Sequence, residues 1–158
     1  MIEYTRPTPV KSMTSIVAEN VAKYMGGAEV LEKVVRSDYD LAVLVAENLP
    51  VKAADTVVEQ GLLETGELYE LVIPRRTLTK RRSTRGRLST EESDRLVSVV
   101  RILALANETF QDLRTAHEWL RRSNRSLGDR RPLDLLETDS GARLVETVLG
   151  RVDYGVYS

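Results

Sequence analysis

The residues that could perform chemistry are few. The chain has one histidine, His117, and no cysteine, which excludes thiolate nucleophiles, sulfur-based zinc sites and catalytic arrangements that need two histidines. A carboxylate site for a hard cation survives on composition alone. The motifs GxSxG, GxxxxGK[ST], GxGxxG and HExxH do not occur. The sequence therefore predicts a protein that is not an enzyme and has no catalytic residue, no metal and no cofactor.

Two side chains in one predicted helix still need an interpretation. We expect His117, on a half-buried helical face, to be a packed or hydrogen-bonded side chain rather than a general base. We expect Trp119 to anchor a core or an interface rather than to provide a stacking platform for a ligand.

The strongest local signal is electrostatic. Between Pro74 and Leu88 there is no acidic residue, and seven residues are basic: Arg75, Arg76, Lys80, Arg81, Arg82, Arg85 and Arg87. The net charge of the whole chain does not reveal this basic cluster, since 23 basic and 24 acidic residues give a net charge of −1. A local cluster of this kind is typical of phosphate binding.

Helical spacing determines which of these cations share a face. If Leu78 points inward, then Arg75, Arg76, Thr79 and Lys80 point outward together. Such a face suits phosphate contacts and bidentate contacts between arginine and guanine in the major groove. The alternative is a solvated helix end whose cations complement the helix dipole.

A second basic stretch follows the predicted helix that contains His117. It consists of Arg121, Arg122, Arg125, Arg130 and Arg131. These residues either pair with nearby acidic residues of the chain (Asp134, Glu137, Asp139 and Glu146) or face an acidic partner.

The elements that position these residues are predicted to be helices. With 158 residues and 42% hydrophobic residues, the chain can bury the core of one domain, or of two small helical ones sharing a core. Residues 1–14 are predicted to form an extended or mobile arm. Helical periodicity then starts at Ser15. A capping box formed by Ser89 and Glu92 precedes a long helix at residues 90–108, and Thr65 is a candidate N-cap of an earlier helix.

The rest of the chain gives further expectations. A following helix carries Phe110 and Leu120 on one side, residues 121–132 form a loop, and the last helix has Leu144 on its apolar face before Gly150. No stretch is long and apolar enough for a membrane span, and no leader pattern is present, so a cytoplasmic protein is expected. The helical spacing of the apolar residues along the chain predicts an all-α protein.

Spaced motifs in the second half resemble a known family. The segment AHEWLRRSNRSLGDRRPL at residues 116–133 and the ending RRPLDLLETDSGARLVETVLGRVDYGVYS at 130–158 are similar to the Xre/MbcA/ParS-like antitoxins of RES-Xre toxin-antitoxin modules. Upstream, NLPVKAAD at 48–55 and VIPRRTLTKRRSTRGRLSTEESDRL at 72–96 resemble the helix-turn-helix domain of the same family. One departure lies before the basic helix, where Leu63, Glu64, Thr65 and Gly66 replace the usual Leu-Gly-x-Ser.

The resemblance implies a division of the chain and a function for each part. Residues 1–39 would form an arm and short helices that could dimerise, residues 40–106 an Xre-like helix-turn-helix domain, and residues 107–158 a toxin-binding domain. The middle domain would bind operator DNA and repress the protein's own operon. The last domain would cover the active site of an NAD-depleting RES-domain toxin, so the nucleotide would belong to the toxin and not to this chain.

The resemblance also assigns individual residues. Thr77 and Arg82 match the helix-turn-helix signature. Arg82 and the four outward residues of the basic helix make up the predicted DNA-binding set: Arg75, Arg76, Thr79, Lys80 and Arg82. The terminal pattern LGRxxxGVxS is matched by Arg151, Gly155 and Tyr157, and the predicted toxin-binding set is Arg151, Tyr154, Gly155, Val156, Tyr157 and Ser158. From the residues themselves, this ending combines a flexible glycine with an apolar ring that could enter a pocket, or could fold back onto the protein's own last helix.

Two expectations concern assembly. Helix-turn-helix proteins usually bind paired half-sites as dimers, so we expect a homodimer formed through the N-terminal helices or through the helix at residues 90–108. The alternative function is a stand-alone helix-turn-helix transcriptional regulator whose C-terminal domain only oligomerises.

Overall fold

The computed structural model describes residues 11–84, 86–153 and 155. Within these ranges the chain forms nine α-helices and two short 3₁₀ helices, and no β-strand, which confirms the all-α prediction. The helices are α1 (Met13–Tyr24), α2 (Gly27–Leu31), α3 (Asp38–Ala46), α4 (Val51–Glu59), α5 (Thr65–Leu71), α6 (Arg75–Ser83), α7 (Thr90–Phe110), α8 (Leu113–Arg121) and α9 (Asp139–Asp153). The 3₁₀ helices are Arg125–Leu127 and Pro132–Glu137.

Local capping chemistry explains where several helices begin. The capping box predicted at Ser89 and Glu92 is present, because the Ser89 hydroxyl accepts from the Glu92 N–H and the Glu92 carboxylate accepts from the Ser89 N–H. A second box joins Ser37 and Asp40 at the start of α3. Two satisfied N–H groups at each of these ends fix the direction in which the chain enters the helix.

Four predicted helix ends were wrong. Met13 starts α1 inside the segment predicted as an arm. Thr65 is the first residue of α5 and not its N-cap, which is Glu64. Phe110 closes α7 instead of starting the next helix, because Gln111 has φ 53° and ends α7 there. The last helix continues past Gly150 to Asp153, since one glycine weakens a helix without ending it.

The long helix α7 is the centre of the fold. It packs against α1, α3, α5, α8 and α9. Its inward residues are almost fully buried: Leu96, Val99, Val100, Ile102, Leu103, Ala104 and Ala106. Because helices from both ends of the chain pack on α7, one aliphatic core connects the N-terminal and C-terminal halves.

A buried polar contact joins α7 to the segment before α4. The Ser93 hydroxyl is buried and accepts a hydrogen bond of 2.9 Å from the Leu49 N–H. Ser93→Ala is expected to lower the free energy of unfolding by about 1–3 kcal/mol, because the Leu49 N–H would be left without a partner. Urea denaturation measures this loss. The control Ser98→Ala, on the same helix but half-buried, should change the free energy by less than about 0.5 kcal/mol, and equal losses in both variants would contradict the argument.

The C-terminal half depends on a close backbone approach at Gly141. A Cβ atom at this position would lie 1.9 Å from the Leu135 carbonyl oxygen in the preceding 3₁₀ helix, a distance that no side chain can occupy. This approach lets α9 follow Pro132–Glu137 directly and pack its apolar face on α7. Leu144, predicted on that face, is instead 46% exposed, while Val145, Val148 and Leu149 are buried.

Gly141→Ala is therefore expected to destabilise the protein by about 3 kcal/mol, the upper end of typical overpacking costs. Gly150→Ala is the matched control in the same helix, because a Cβ there meets nothing within 4 Å. That variant should be neutral or stabilising, by up to about 1 kcal/mol, since alanine favours the helix. Thermal unfolding followed by circular dichroism compares the two, and similar melting temperatures would contradict the prediction.

Candidate functional site

The basic helix α6 is held in place by a short, buried turn. After α5, Val72 and Ile73 are buried, and both of their N–H groups donate to the Leu68 carbonyl. Pro74 precedes the first turn of α6, and Leu78 is fully buried. Two short helices joined by so tight a turn have the outline of a helix-turn-helix, in which the second helix enters the major groove of DNA.

Ion pairs divide the cations of α6 into two groups. Arg81 is turned toward α7, where its Nε lies 3.0 Å from Glu92 Oε2 and its Nη2 donates to Glu92 Oε1 at 3.1 Å. Arg82 is turned toward α4, where its Nε and Nη2 both donate to Asp55 Oδ1, at 3.0 and 2.5 Å. The hydrogen bond that Arg82 donates to the Asp55 carboxylate raises the pKa of Arg82. These two arginines connect α6 to α7 and α4.

The second group faces solvent. Arg75, Arg76, Thr79 and Lys80 are all exposed, as the inward position of Leu78 predicts. None of the three cations forms an ion pair with another residue in the described ranges. The Thr79 hydroxyl donates to the Arg75 carbonyl oxygen at 2.9 Å. The structure thus brings together four of the five predicted DNA-binding residues on one free face, which we call the α6 face, and places Arg82 beside them in its pair with Asp55.

The remaining cations of the basic run lie after α6. Arg87 donates to the Asn48 carbonyl oxygen at 2.9 Å and lies 3.4 Å from Glu32. It thereby connects the segment before α7 to the residues that follow α2 and α3. Arg85 lies outside the described residues.

The segment that departs from the Leu-Gly-x-Ser pattern forms the start of α5, where Glu64 is the N-cap. At the start of α5, the Glu67 carboxylate accepts a 2.8 Å hydrogen bond from the Glu64 N–H. A glutamate pair thereby begins the helix in the segment where Leu-Gly-x-Ser is replaced. Spacing could have revealed this pair, because Glu64 and Glu67 are three residues apart, the separation of a capping box.

The second basic stretch is used partly inside the protein. Arg131 pairs with Asp134 at 2.6 Å, one of the pairings considered from sequence, and the hydrogen bond from Arg131 lowers the pKa of Asp134. Arg121 pairs instead with Glu67 of α5, 54 residues earlier, which the sequence did not suggest. Arg122, Arg125 and Arg130 are exposed.

Of the predicted toxin-binding set, only two residues can be located. Arg151 is exposed near the end of α9, and Gly155 is exposed with φ +68° and donates its N–H to the Val152 carbonyl oxygen. Tyr154, Val156, Tyr157 and Ser158 lie outside the described residues. An exposed Arg151 followed by a left-handed glycine places the end of the described chain at the surface.

His117 and Trp119 have mainly apolar surroundings. His117 is half-buried and lines a groove of about 360 Å³ with Leu62, Leu103 and Leu113. Trp119 packs against the core, and its ring lies 5.6 Å from that of Phe110, centroid to centroid. In the described part of the chain no group of His, Asp and Glu could hold a metal ion. None of its helices has the length and apolar character needed to cross a membrane.

The fold and the α6 face define a helix-turn-helix protein with a C-terminal helical domain, and family models agree. Residues 40–101 match the "Antitoxin Xre-like helix-turn-helix domain", and residues 105–155 match the "Antitoxin Xre/MbcA/ParS C-terminal toxin-binding domain". The first matched segment ends and the second begins inside α7, so both domains use this helix.

Curated relatives agree as well. Proteins named "Antitoxin Xre" are 41% identical over 87 residues in Yersinia enterocolitica, 31% over 120 residues in Photorhabdus laumondii and 28% over 119 residues in Pseudomonas putida. These alignments cover 54%, 75% and 75% of this chain, and 59%, 81% and 74% of the respective relatives. The chain belongs to the Xre antitoxin family, which confirms the resemblance drawn from its motifs.

Proposed function

We propose that this protein is an antitoxin that binds a RES-domain toxin, covers the toxin's active site, and represses its own operon by binding operator DNA in the cytoplasm. The family membership and the match of residues 105–155 to a toxin-binding domain support the first part. The RES identity of the toxin and its consumption of NAD come from the family resemblance. Neutralisation would then be steric, with the nucleotide held by the toxin and not by the antitoxin.

The α6 face carries the DNA-binding part of the proposal. Arg75, Arg76 and Lys80 are exposed without ion pairs in the described ranges, while Arg81 and Arg82 brace the same helix from two sides. A rigid helix with free cations is what phosphate and guanine contacts require. The dipole alternative accounts less well for this face, because Arg75 and Arg76 are in the first turn of α6, where a positive charge is unfavourable.

We further propose that the protein binds its operator as a homodimer. A helix-turn-helix dimer reads two half-sites about 34–36 Å apart, so a two-fold symmetric operator is expected. The N-terminal helices α1 and α2 or the long helix α7 remain the candidates for the dimer interface. We also propose the domain division at residues 39/40 and 106/107, with the second boundary lying within α7.

One experiment tests the toxin part. The protein is co-expressed with a RES-domain protein encoded in the adjacent reading frame, and size-exclusion chromatography with mass measurement determines whether a complex forms. NAD consumption by the purified toxin is then measured with and without the antitoxin. A stable complex with suppressed NAD consumption is expected. A toxin that stays separate and fully active, beside an antitoxin that still binds its promoter, would instead identify the stand-alone regulator.

A further inference from the structure

One guanidinium of the C-terminal domain holds the first helix of the helix-turn-helix. From the last residue of α8, Arg121 Nε donates to Glu67 Oε1 at 2.8 Å, and Arg121 Nη2 donates to Glu67 Oε2 at 2.7 Å. Its Nη2 also donates to the Leu62 carbonyl oxygen at 3.4 Å, and its Nη1 to the His117 carbonyl oxygen at 3.2 Å. Arg121 therefore contacts the turn before α5, the start of α5 and the end of α8 at once.

This pair differs from the other ion pairs in its burial. Both side chains, Arg121 and Glu67, are only 16% exposed, whereas the Arg114–Glu118 pair on the same helix is 86% and 54% exposed. A bidentate pair shielded from water is directional, because the guanidinium fork fits the carboxylate in one orientation. The exposed pair imposes no comparable constraint.

The helix that receives these hydrogen bonds is too short to be stable by itself. With seven residues, α5 is far shorter than the roughly 12–15 residues that an isolated helix needs to be even marginally stable. The Glu67 carboxylate also accepts from the Glu64 N–H, so the group held by Arg121 is the group that begins α5. Displacing Glu67 would therefore affect both the start of α5 and its angle to α8.

From these contacts we infer that Arg121 is a positioning residue for operator recognition, although it lies in the toxin-binding domain and outside the α6 face. It sets the orientation of α5, and the buried turn at Val72 and Ile73 transmits that orientation to α6. This inference rests on the proposed DNA-binding function. Sequence-specific contacts need α6 at a fixed angle in the groove, whereas non-specific contacts need only its charge.

The test compares full-length Arg121→Gln and Glu67→Gln with the wild type on operator DNA and on unrelated DNA. Operator affinity is expected to fall about tenfold in each variant, a typical effect for a residue that couples elements without touching the ligand. Affinity for unrelated DNA should stay within about twofold, and the salt dependence should keep its slope, because no phosphate contact is lost. Arg114→Gln is the matched control and should bind both DNAs as the wild type does.

The double variant Glu67→Gln/Arg121→Gln keeps the test decisive if a single variant unfolds. It replaces both charges by amides and leaves no unpaired buried charge. Its operator affinity should fall no further than that of the single variants, because all three remove the same interaction. Equal losses on both DNAs with a reduced salt slope would instead make Arg121 a direct phosphate contact and overturn the inference. Unchanged operator affinity would also overturn it.

Hydrogen exchange separates this inference from the DNA-binding proposal. In the absence of DNA, the backbone amides of α5 should exchange faster in Arg121→Gln than in the wild type, while those of α9 should not change. If the wild type binds no operator, the DNA-binding proposal fails, and faster exchange in α5 still shows that Arg121 positions this helix. Unchanged exchange in α5 would refute the positioning role itself.

Discussion

Replacing Arg76 and Lys80 together by alanine is expected to weaken operator binding by about two to three orders of magnitude, as the loss of one base or phosphate contact from each residue predicts. The two residues lie one helical turn apart on the exposed α6 face. The slope of log affinity against log salt should flatten by about one for each phosphate contact removed. Fluorescence anisotropy over a salt series measures both quantities.

The control variant removes two exposed arginines that lie outside α6. Arg114→Ala with Arg143→Ala removes the same charge from α8 and α9, where both arginines are exposed, and should leave most of the operator affinity. The stability of the Arg76 and Lys80 variant should match the wild type, because both residues are exposed and neither forms an ion pair in the described ranges. An unchanged affinity and an unchanged salt slope would show that α6 is not the DNA-binding helix.

Sequence patterns predicted the exposed side of α6 because helical geometry alone determines it. Once Leu78 is placed inward, the 3.6-residue period puts Arg75, Arg76, Thr79 and Lys80 outward. The same period cannot distinguish Arg81 and Arg82 from the free cations, because their partners are Glu92 and Asp55, on two other helices. Tertiary contacts between distant segments carry no local signature, so this division required the structure.

Two features of the C-terminal half could not be predicted from the sequence: the partner of Arg121 and the end of α7. The sequence places several acidic residues close to the second basic stretch, yet Arg121 pairs with Glu67 across 54 residues. Phe110 also keeps helical spacing with Leu113 and Leu120, so the pattern assigns it to the helix after α7. Gln111 ends α7 by adopting a left-handed conformation. Glutamine seldom adopts this conformation, so the residue type does not predict the end of the helix.

Deletion of residues 155–158 is expected to abolish protection against the toxin. The sequence of this segment, Gly-Val-Tyr-Ser, combines a flexible glycine with two apolar side chains, which suits insertion into a cleft. It follows α9, whose residues Val145, Val148 and Leu149 are buried in the core. The truncated antitoxin should therefore fail to rescue growth of cells that express the toxin, and should leave the toxin's NAD consumption uninhibited.

Two measurements on the truncated protein distinguish insertion from the alternative in which the tail packs on α9. If the tail inserts into the toxin, the melting temperature and the operator affinity should equal those of the full chain, because the core and the α6 face are untouched. If Val156 and Tyr157 pack on α9, the melting temperature should fall, because their apolar surface would return to water. Rescue of growth by the truncated protein would place inhibition elsewhere in the C-terminal domain. Tyr157→Ala then separates the ring from the rest of the tail, since an inserted aromatic side chain should account for most of the lost inhibition.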